Sequence, residues 1–208
     1  MRETSPAARF GRRAVFGLIA VNTAVELVLL GADLGLWGSP VWRPLAYQFG
    51  GFWSGLLHDW QPNFAAQPVT MFVTYSFLHS GPGHLVGNMA SLAILGPGVA
   101  ARIGARDFLL AYGVTSVAGA LVFGMVSVTA APMVGASGAI FGMAGILVVW
   151  DGDRQRRQGR RGRGVWIVLG LVALNAVLWG ISGGLLAWQT HLGGFLAGAG
   201  LGRFAKRN

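Results

Sequence analysis

Apolar runs separated by short basic breaks dominate this sequence and limit the folds open to it. A helix needs about 20 apolar residues to cross the roughly 30 Å hydrocarbon layer of a membrane. Six runs meet or approach that length, at approximately 14–34, 84–101, 108–128, 136–150, 165–181 and 185–204. The pattern predicts an all-α integral membrane protein with six crossing helices.

Composition favours the same class over a soluble domain. Charged residues make up 11% of the chain, whereas a soluble domain usually carries about 25%. The absence of cysteine excludes a disulfide framework and a thiolate metal site. With 208 residues, the chain is about one domain long. We therefore expect a single multi-pass membrane domain.

The sixteen Lys and Arg residues predict how the chain is oriented. Alternate crossings place fifteen of them on one side, before the first run, near 102–106, in 151–164 and at the C-terminus, and leave only Arg43 on the other. Basic residues collect in this way on the cytoplasmic side. A nucleic-acid surface would interleave them with polar residues, so no nucleic-acid partner is expected despite the net charge of +9. The Arg-rich segment is interpreted as a topology anchor that can also contact anionic lipid.

The predicted organisation is a basic cytoplasmic N-terminus (1–13), one six-span membrane domain (14–204) and a short basic cytoplasmic tail (205–208). The first run is too long for the apolar part of a signal peptide, so an uncleaved span is expected. The first outer loop, 35–68, is too apolar for water and too broken by Gly and Pro to cross, so it is expected to lie in the interface. The expected location is the bacterial inner membrane.

Polar side chains inside the predicted spans are the candidates for function, because they are expensive in a membrane. They are Glu26, His84, Asn88, Ser137, Asn175 and His191. At a rise of 1.5 Å per residue, Ser137 and Asn88 lie about 20 Å above the inner boundary and His191 about 9 Å below the outer one. Three spans thus bring a hydroxyl, an amide and an imidazole to one level. Glu26 is interpreted as structural and Asn175 as a packing contact.

These residue types at one level suit nucleophilic catalysis. A serine hydroxyl needs a base, and imidazole serves at neutral pH. His84 and Asn88 are four residues apart and share a helix face, and the N–H of Ser137 begins a helix, so all three can donate to an oxyanion. No carboxylate lies at this level to orient the base. A dyad is therefore expected, without a third member.

Three motifs resemble those of the rhomboid intramembrane serine proteases. Gly135-Ala136-Ser137-Gly138 resembles their GxSG motif, and His79-x4-His84-x3-Asn88 resembles their HxxxxHxxxN signature. His191-Leu192-Gly193-Gly194 resembles their final-span histidine followed by glycines. The motifs occur in the family's order, on the matching predicted spans, over about Val69–Gly202.

The resemblance implies a six-helix rhomboid-like bundle that hydrolyses a peptide bond in or beside the transmembrane segment of a membrane-protein substrate. It implies a nucleophile and base, Ser137 and His191, and oxyanion donors at His84, Asn88 and the Ser137 amide. The residues that would support the site are His79, Gly135, Gly138, Phe141 and Gly194, with Phe141 stacked on the catalytic imidazole. No metal and no cofactor are expected.

Glycines three or four residues apart in the fourth and sixth runs predict close helix packing. They are Gly138, Gly142, Gly145, Gly194, Gly198 and Gly202. One stretch departs from the family: many members carry a Trp-Arg pair shortly before the second span, where this chain reads Pro68-Val69-Thr70-Met71-Phe72. Because that pair helps to anchor the first loop, its absence predicts altered loop behaviour.

Three other functions are alternatives. A zinc protease could recruit His79, His84 and His191, but the chain has no HExxH motif. A transporter or channel lacks support, because the sequence shows no internal repeat and no charged pathway. A silent relative that binds transmembrane clients typically loses the serine or the histidine, whereas both are present here.

Overall fold

The structure is a computed structural model that describes residues 6–127, 129–160 and 162–204. Its α-helices are α1 (Pro6–Asp33), α2 (Trp42–Gly50), α3 (Gln67–Thr74), α4 (Pro82–Val126), α5 (Ser137–Arg157), α6 (Arg163–Ile181) and α7 (Trp188–Phe204). Two short 3-10 helices cover Ser54–Leu57 and Tyr75–Phe77. The helix α1 begins inside the predicted N-terminal segment 1–13, and the predicted tail 205–208 lies outside the described residues.

Several of these helices are apolar enough for a membrane. Within the described chain, three are also long enough to cross it: Arg9–Asp33 of α1, all of α4, and α6. The helix α7 has 17 residues, and α5 runs past the predicted end at Trp150 into the charged segment. The all-α prediction is confirmed, since the described residues form no strand beyond one isolated bridge. The count of six crossings stays a prediction.

The long helix α4 contains two of the predicted spans. Its 45 residues amount to about 68 Å of helix, more than twice the thickness of the hydrocarbon layer. The helix breaks at Gly104, whose φ of 83° and ψ of 169° are not helical. Leu92 and Phe108, from the halves 82–103 and 105–126, lie in one buried cluster. The two halves therefore fold back against each other.

The core is formed by α1, both halves of α4, α5 and α7. Val15, Met143 and Ile146 are almost fully buried in it. The helix α6 differs, because none of its residues, all of which are described, is buried. It packs chiefly against α5. One helix thus lies at the edge of the bundle.

The first loop packs against the chain that leads into α5. Phe52 is buried, and its N–H and C=O exchange hydrogen bonds of 3.0 and 2.9 Å with Met133. Its ring packs edge-on against the rings of Phe72, Tyr75 and Phe123. Within the same loop, α2 buries none of its residues. The position of this loop relative to the membrane interface stays a prediction.

Candidate active site

A tight turn presents Ser137 as the first residue of α5. Gly135, two residues earlier, has a φ of 125°, which favours glycine. A side-chain carbon there would lie 2.7 Å from Cε1 of His84. The N–H of Gly135 donates to the carbonyl oxygen of Tyr75 at 2.9 Å. Backbone conformation and lack of space both require glycine in this motif.

Glycines bring α7 against α5 at the level of this turn. A side-chain carbon on Gly194 would overlap the carbonyl oxygen of Gly138, and one on Gly198 would overlap that of Gly142. The predicted close approach of these two helices is confirmed. It brings the first turn of α5 beside the helical turn that carries His191.

The ring of His191 is buried and contacted on two sides. It lies parallel to the ring of Phe141, with 4.2 Å between the centroids and 5° between the planes. Its Nδ1 lies 2.5 Å from Oδ1 of Asn175. Phe141 is four residues after Ser137, so the two share a face of α5. Ser137 and His191, both of which the structure describes, form no hydrogen bond with each other.

His84 and Asn88 on α4 face the turn before Ser137. The backbone N–H of Ser80 donates to Nδ1 of His84 at 3.3 Å, which assigns the proton of the neutral ring to Nε2. That Nε2 and the Nδ2 of Asn88 lie 2.9 and 3.4 Å from where a side-chain carbon on Gly135 would stand. Two N–H donors therefore converge on one spot.

His79 packs against His84. It is fully buried, and its ring lies edge-on to that of His84, with 5.2 Å between the centroids. Neither ring nitrogen has a hydrogen-bond partner in the described part of the chain. Among the described residues, no three His, Asp or Glu side chains are close enough to hold a metal ion.

Arg43 ties the first loop to α1 and to the chain before α4. Its guanidinium donates to Glu26 at 2.9 and 3.0 Å, to Asp33 at 2.6 Å and to the carbonyl oxygen of His79 at 3.0 Å. Burial alone would lower the pKa of Arg43, but its hydrogen bonds to Glu26, Tyr47 and Asp33 outweigh burial and raise it. The cation is therefore permanent, and Glu26 has a structural role.

The prediction that the first loop lacks a Trp-Arg anchor is wrong. The stretch 68–72 has no such pair, but Trp42 and Arg43 form one at the start of α2. Its arginine makes the anchoring bonds, to Glu26 and Asp33 in the C-terminal part of α1 and to the carbonyl oxygen of His79. The prediction considered only the residues just before the second span, whereas the pair lies earlier in the first loop.

A family model for the Rhomboid domain matches residues 66–208. The chain belongs to the rhomboid family. The rhomboid domain and the apolar helices together make the chain an integral membrane protein. A comparison with curated proteins gave no significant match.

The residues that the motifs predict for the site lie on α4, α5 and α7 and on the chain just before α4 and α5. They are Ser137, His191, His84, Asn88, His79, Gly135, Gly138, Phe141 and Gly194. Two further contacts were not predicted from the sequence, from Ser80 to His84 and from Asn175 to His191. Asn175 was visible as a polar residue in an apolar run, but its interpretation as a packing contact is corrected, because it bonds to the imidazole.

Proposed function

We propose that this chain is an intramembrane serine endopeptidase that cleaves a peptide bond in or next to the transmembrane segment of a membrane-protein substrate. Ser137 is the nucleophile and His191 is the general base. Nε2–H of His84, Nδ2–H of Asn88 and the backbone N–H of Ser137 are the oxyanion donors. Family membership supports the reaction class, and the geometry supports the roles of the residues.

The observation that carries the proposal is the unpaired amide of Asn88. Its Nδ2 is buried and has no hydrogen-bond partner in the described part of the chain. Leaving a buried donor unpaired costs about 1–3 kcal/mol. The donor faces the turn at Gly135, beside the assigned N–H of His84. Donors fixed in advance at the place where negative charge develops are what stabilises a tetrahedral intermediate.

The reaction proceeds in two stages, acylation of Ser137 and deacylation. Nε2 of His191 takes the hydroxyl proton of Ser137 as Oγ bonds to the scissile carbonyl carbon, and the carbonyl oxygen becomes an oxyanion. The imidazolium then gives its proton to the leaving nitrogen, and the C–N bond breaks to leave an acyl-enzyme. In deacylation the same imidazole takes a proton from a water molecule as the water oxygen bonds to the ester carbon, and it returns that proton to Oγ of Ser137 as the C–Oγ bond breaks and the carboxylic acid leaves.

A second candidate is a protein that binds transmembrane clients without cleaving them. The absence of a hydrogen bond between Ser137 and His191 favours it. For a protease, this hydrogen bond would have to form in the substrate complex, where catalytic hydrogen bonds that are long in the free enzyme tighten. A turnover measurement separates the two functions.

The test is cleavage of a panel of single-span reporter proteins reconstituted with the purified protein in lipid vesicles. Ser137→Ala and His191→Ala should each abolish cleavage that the wild type performs. The matched controls are Ser91→Ala and His58→Ala, because Ser91 is half-buried, His58 is exposed and both lie outside the site. Equal cleavage by the wild type and by either site variant would overturn the assignment, whereas co-purification of uncleaved reporters with the wild type would support the client-binding function.

A further inference from the structure

Asn175 is the residue by which the edge helix α6 reaches the candidate site. None of the residues of α6, all of which are described, is buried, and Asn175 itself is half-buried. A polar side chain in so apolar a helix is costly in a membrane unless it has a hydrogen-bond partner. The partner it has is the imidazole of His191.

Two hydrogen bonds determine how the Asn175 amide is oriented. Its Nδ2 donates to the carbonyl oxygen of Leu171, one turn earlier, at 2.9 Å. Its Oδ1 is therefore the atom that faces Nδ1 of His191, 2.5 Å away. An amide oxygen only accepts, so Nδ1 must carry the proton. The neutral imidazole is then left with a bare Nε2, the form required of a general base.

We propose that Asn175 is a positioning residue that fixes the tautomer and the ring orientation of His191. It holds the ring at Nδ1 while Phe141 holds its face, at a centroid distance of 4.2 Å. The site then works as Ser137, His191 and Asn175, in place of the dyad expected from the sequence. This inference rests on the proposed function. It also means that His191 can act as a base only while α6 holds Asn175 beside it.

The test compares Asn175→Leu and Asn175→Asp for kcat, KM and the pH dependence of kcat on a cleaved reporter. Asn175→Leu should lower kcat by about 10-fold or more, since correct tautomer and orientation are worth up to about 10⁴-fold where a carboxylate supplies them. KM should change little, because Asn175 lies behind the imidazole. Asn22→Leu is the matched control, since Asn22 makes the same hydrogen bond to its own helix, to the carbonyl oxygen of Leu18.

Asn175→Asp tests for a change in the pH profile that a purely structural role of Asn175 would not produce. A carboxylate accepts from Nδ1–H, so activity should return toward the wild-type value. It also favours the imidazolium, so the acid limb of the pH profile should shift to higher pH. Of the other groups around the ring, Phe141 is uncharged, and His84 is the described titratable group that interacts electrostatically with it. Since His84 is unchanged in both variants, it cannot cause a difference between them.

The outcomes separate this inference from the proposed function. If the wild type cleaves nothing, the proposed function fails and this inference fails with it. If the wild type cleaves and Asn175→Leu keeps the wild-type kcat, the positioning role alone is overturned. A loss of kcat in Asn175→Leu and Asn175→Asp alike, with no shift of the pH profile, would also overturn it. Should Asn175→Leu not fold, the pH profile of Asn175→Asp still decides.

Discussion

The seam between α5 and α7 and the edge helix α6 differ in how firmly they hold the groups of the site. In the seam, backbone meets backbone: a side-chain carbon on Gly194 or Gly198 would overlap a carbonyl oxygen of α5. Around α6, a cavity of about 500 Å³ remains on the side facing α5, lined in part by Leu147, Ile167 and Leu171. The same site therefore draws on a rigid region and on a loosely packed one.

The seam and the edge helix therefore contribute to the site in different ways. The seam sets the distance between the backbones that carry the proposed nucleophile and the proposed base, which has to be short enough for a hydrogen bond of about 2.6–3.2 Å to form. Among the described residues, the edge helix supplies one polar contact to the site, from Asn175 to Nδ1 of His191. Changes in the seam should therefore remove activity outright, and changes on the outer face of α6 should have little effect.

The largest effect is expected from Gly198→Val in the seam. The new side chain overlaps the carbonyl oxygen of Gly142, so α7 must move away from α5. Such overpacking costs about 1–3 kcal/mol, or more where the backbone must shift. Cleavage should be lost and the thermal unfolding midpoint should fall. Gly200→Val is the control on the same helix, where a side-chain carbon meets no described atom within 4 Å. Equal activity of the two variants would show that the seam is not rigid.

Asn88→Ala should be next in size. It removes one proposed oxyanion donor and should lower kcat by about 10²–10³-fold. Because Nδ2 has no partner in the described chain, its removal breaks no described hydrogen bond of that atom. The unfolding midpoint should therefore stay near the wild-type value. A fall in stability without a fall in kcat would contradict the assigned role.

Arg43→Gln tests whether the first loop is held as firmly as the seam. It leaves the carboxylate of Glu26, which is almost fully buried, without its cation. Breaking a buried pair by removing one partner costs about 3–5 kcal/mol. Cleavage should fall less than in Asn88→Ala, because Arg43 does not touch the reacting atoms. The double variant Glu26→Gln, Arg43→Gln should recover part of the stability in denaturant unfolding. No recovery would mean that Asp33 and His79 carry the anchor.

The smallest effect is expected on the outer face of α6. Val172 is exposed, so Val172→Ala should change the stability by no more than about 0.5 kcal/mol and leave kcat unchanged. The measurement is the same reporter assay with thermal unfolding. A large loss would show that α6 is held by contacts on that face and is not loosely packed.

Sequence alone predicted much of the fold and of the candidate site. Apolar runs located the helices, and the spacing of His84 and Asn88 placed both on one helix face, as the structure has them. The contact of Asn175 could not be predicted, because α6 is apolar on every side and its pattern does not fix its rotation. The partners of Arg43 could not be predicted either, since they depend on how the chain between Glu26 and His79 folds back on itself.

Labelling of the detergent-solubilised protein by a serine-directed fluorophosphonate probe tests the central claim most directly, because it needs no knowledge of the substrate. An activated serine should label in the wild type, not in Ser137→Ala, and only weakly in His191→Ala. Labelling that persists in Ser137→Ala, or a folded wild-type protein that does not label at all, would contradict the assignment of Ser137 as a nucleophile activated by His191.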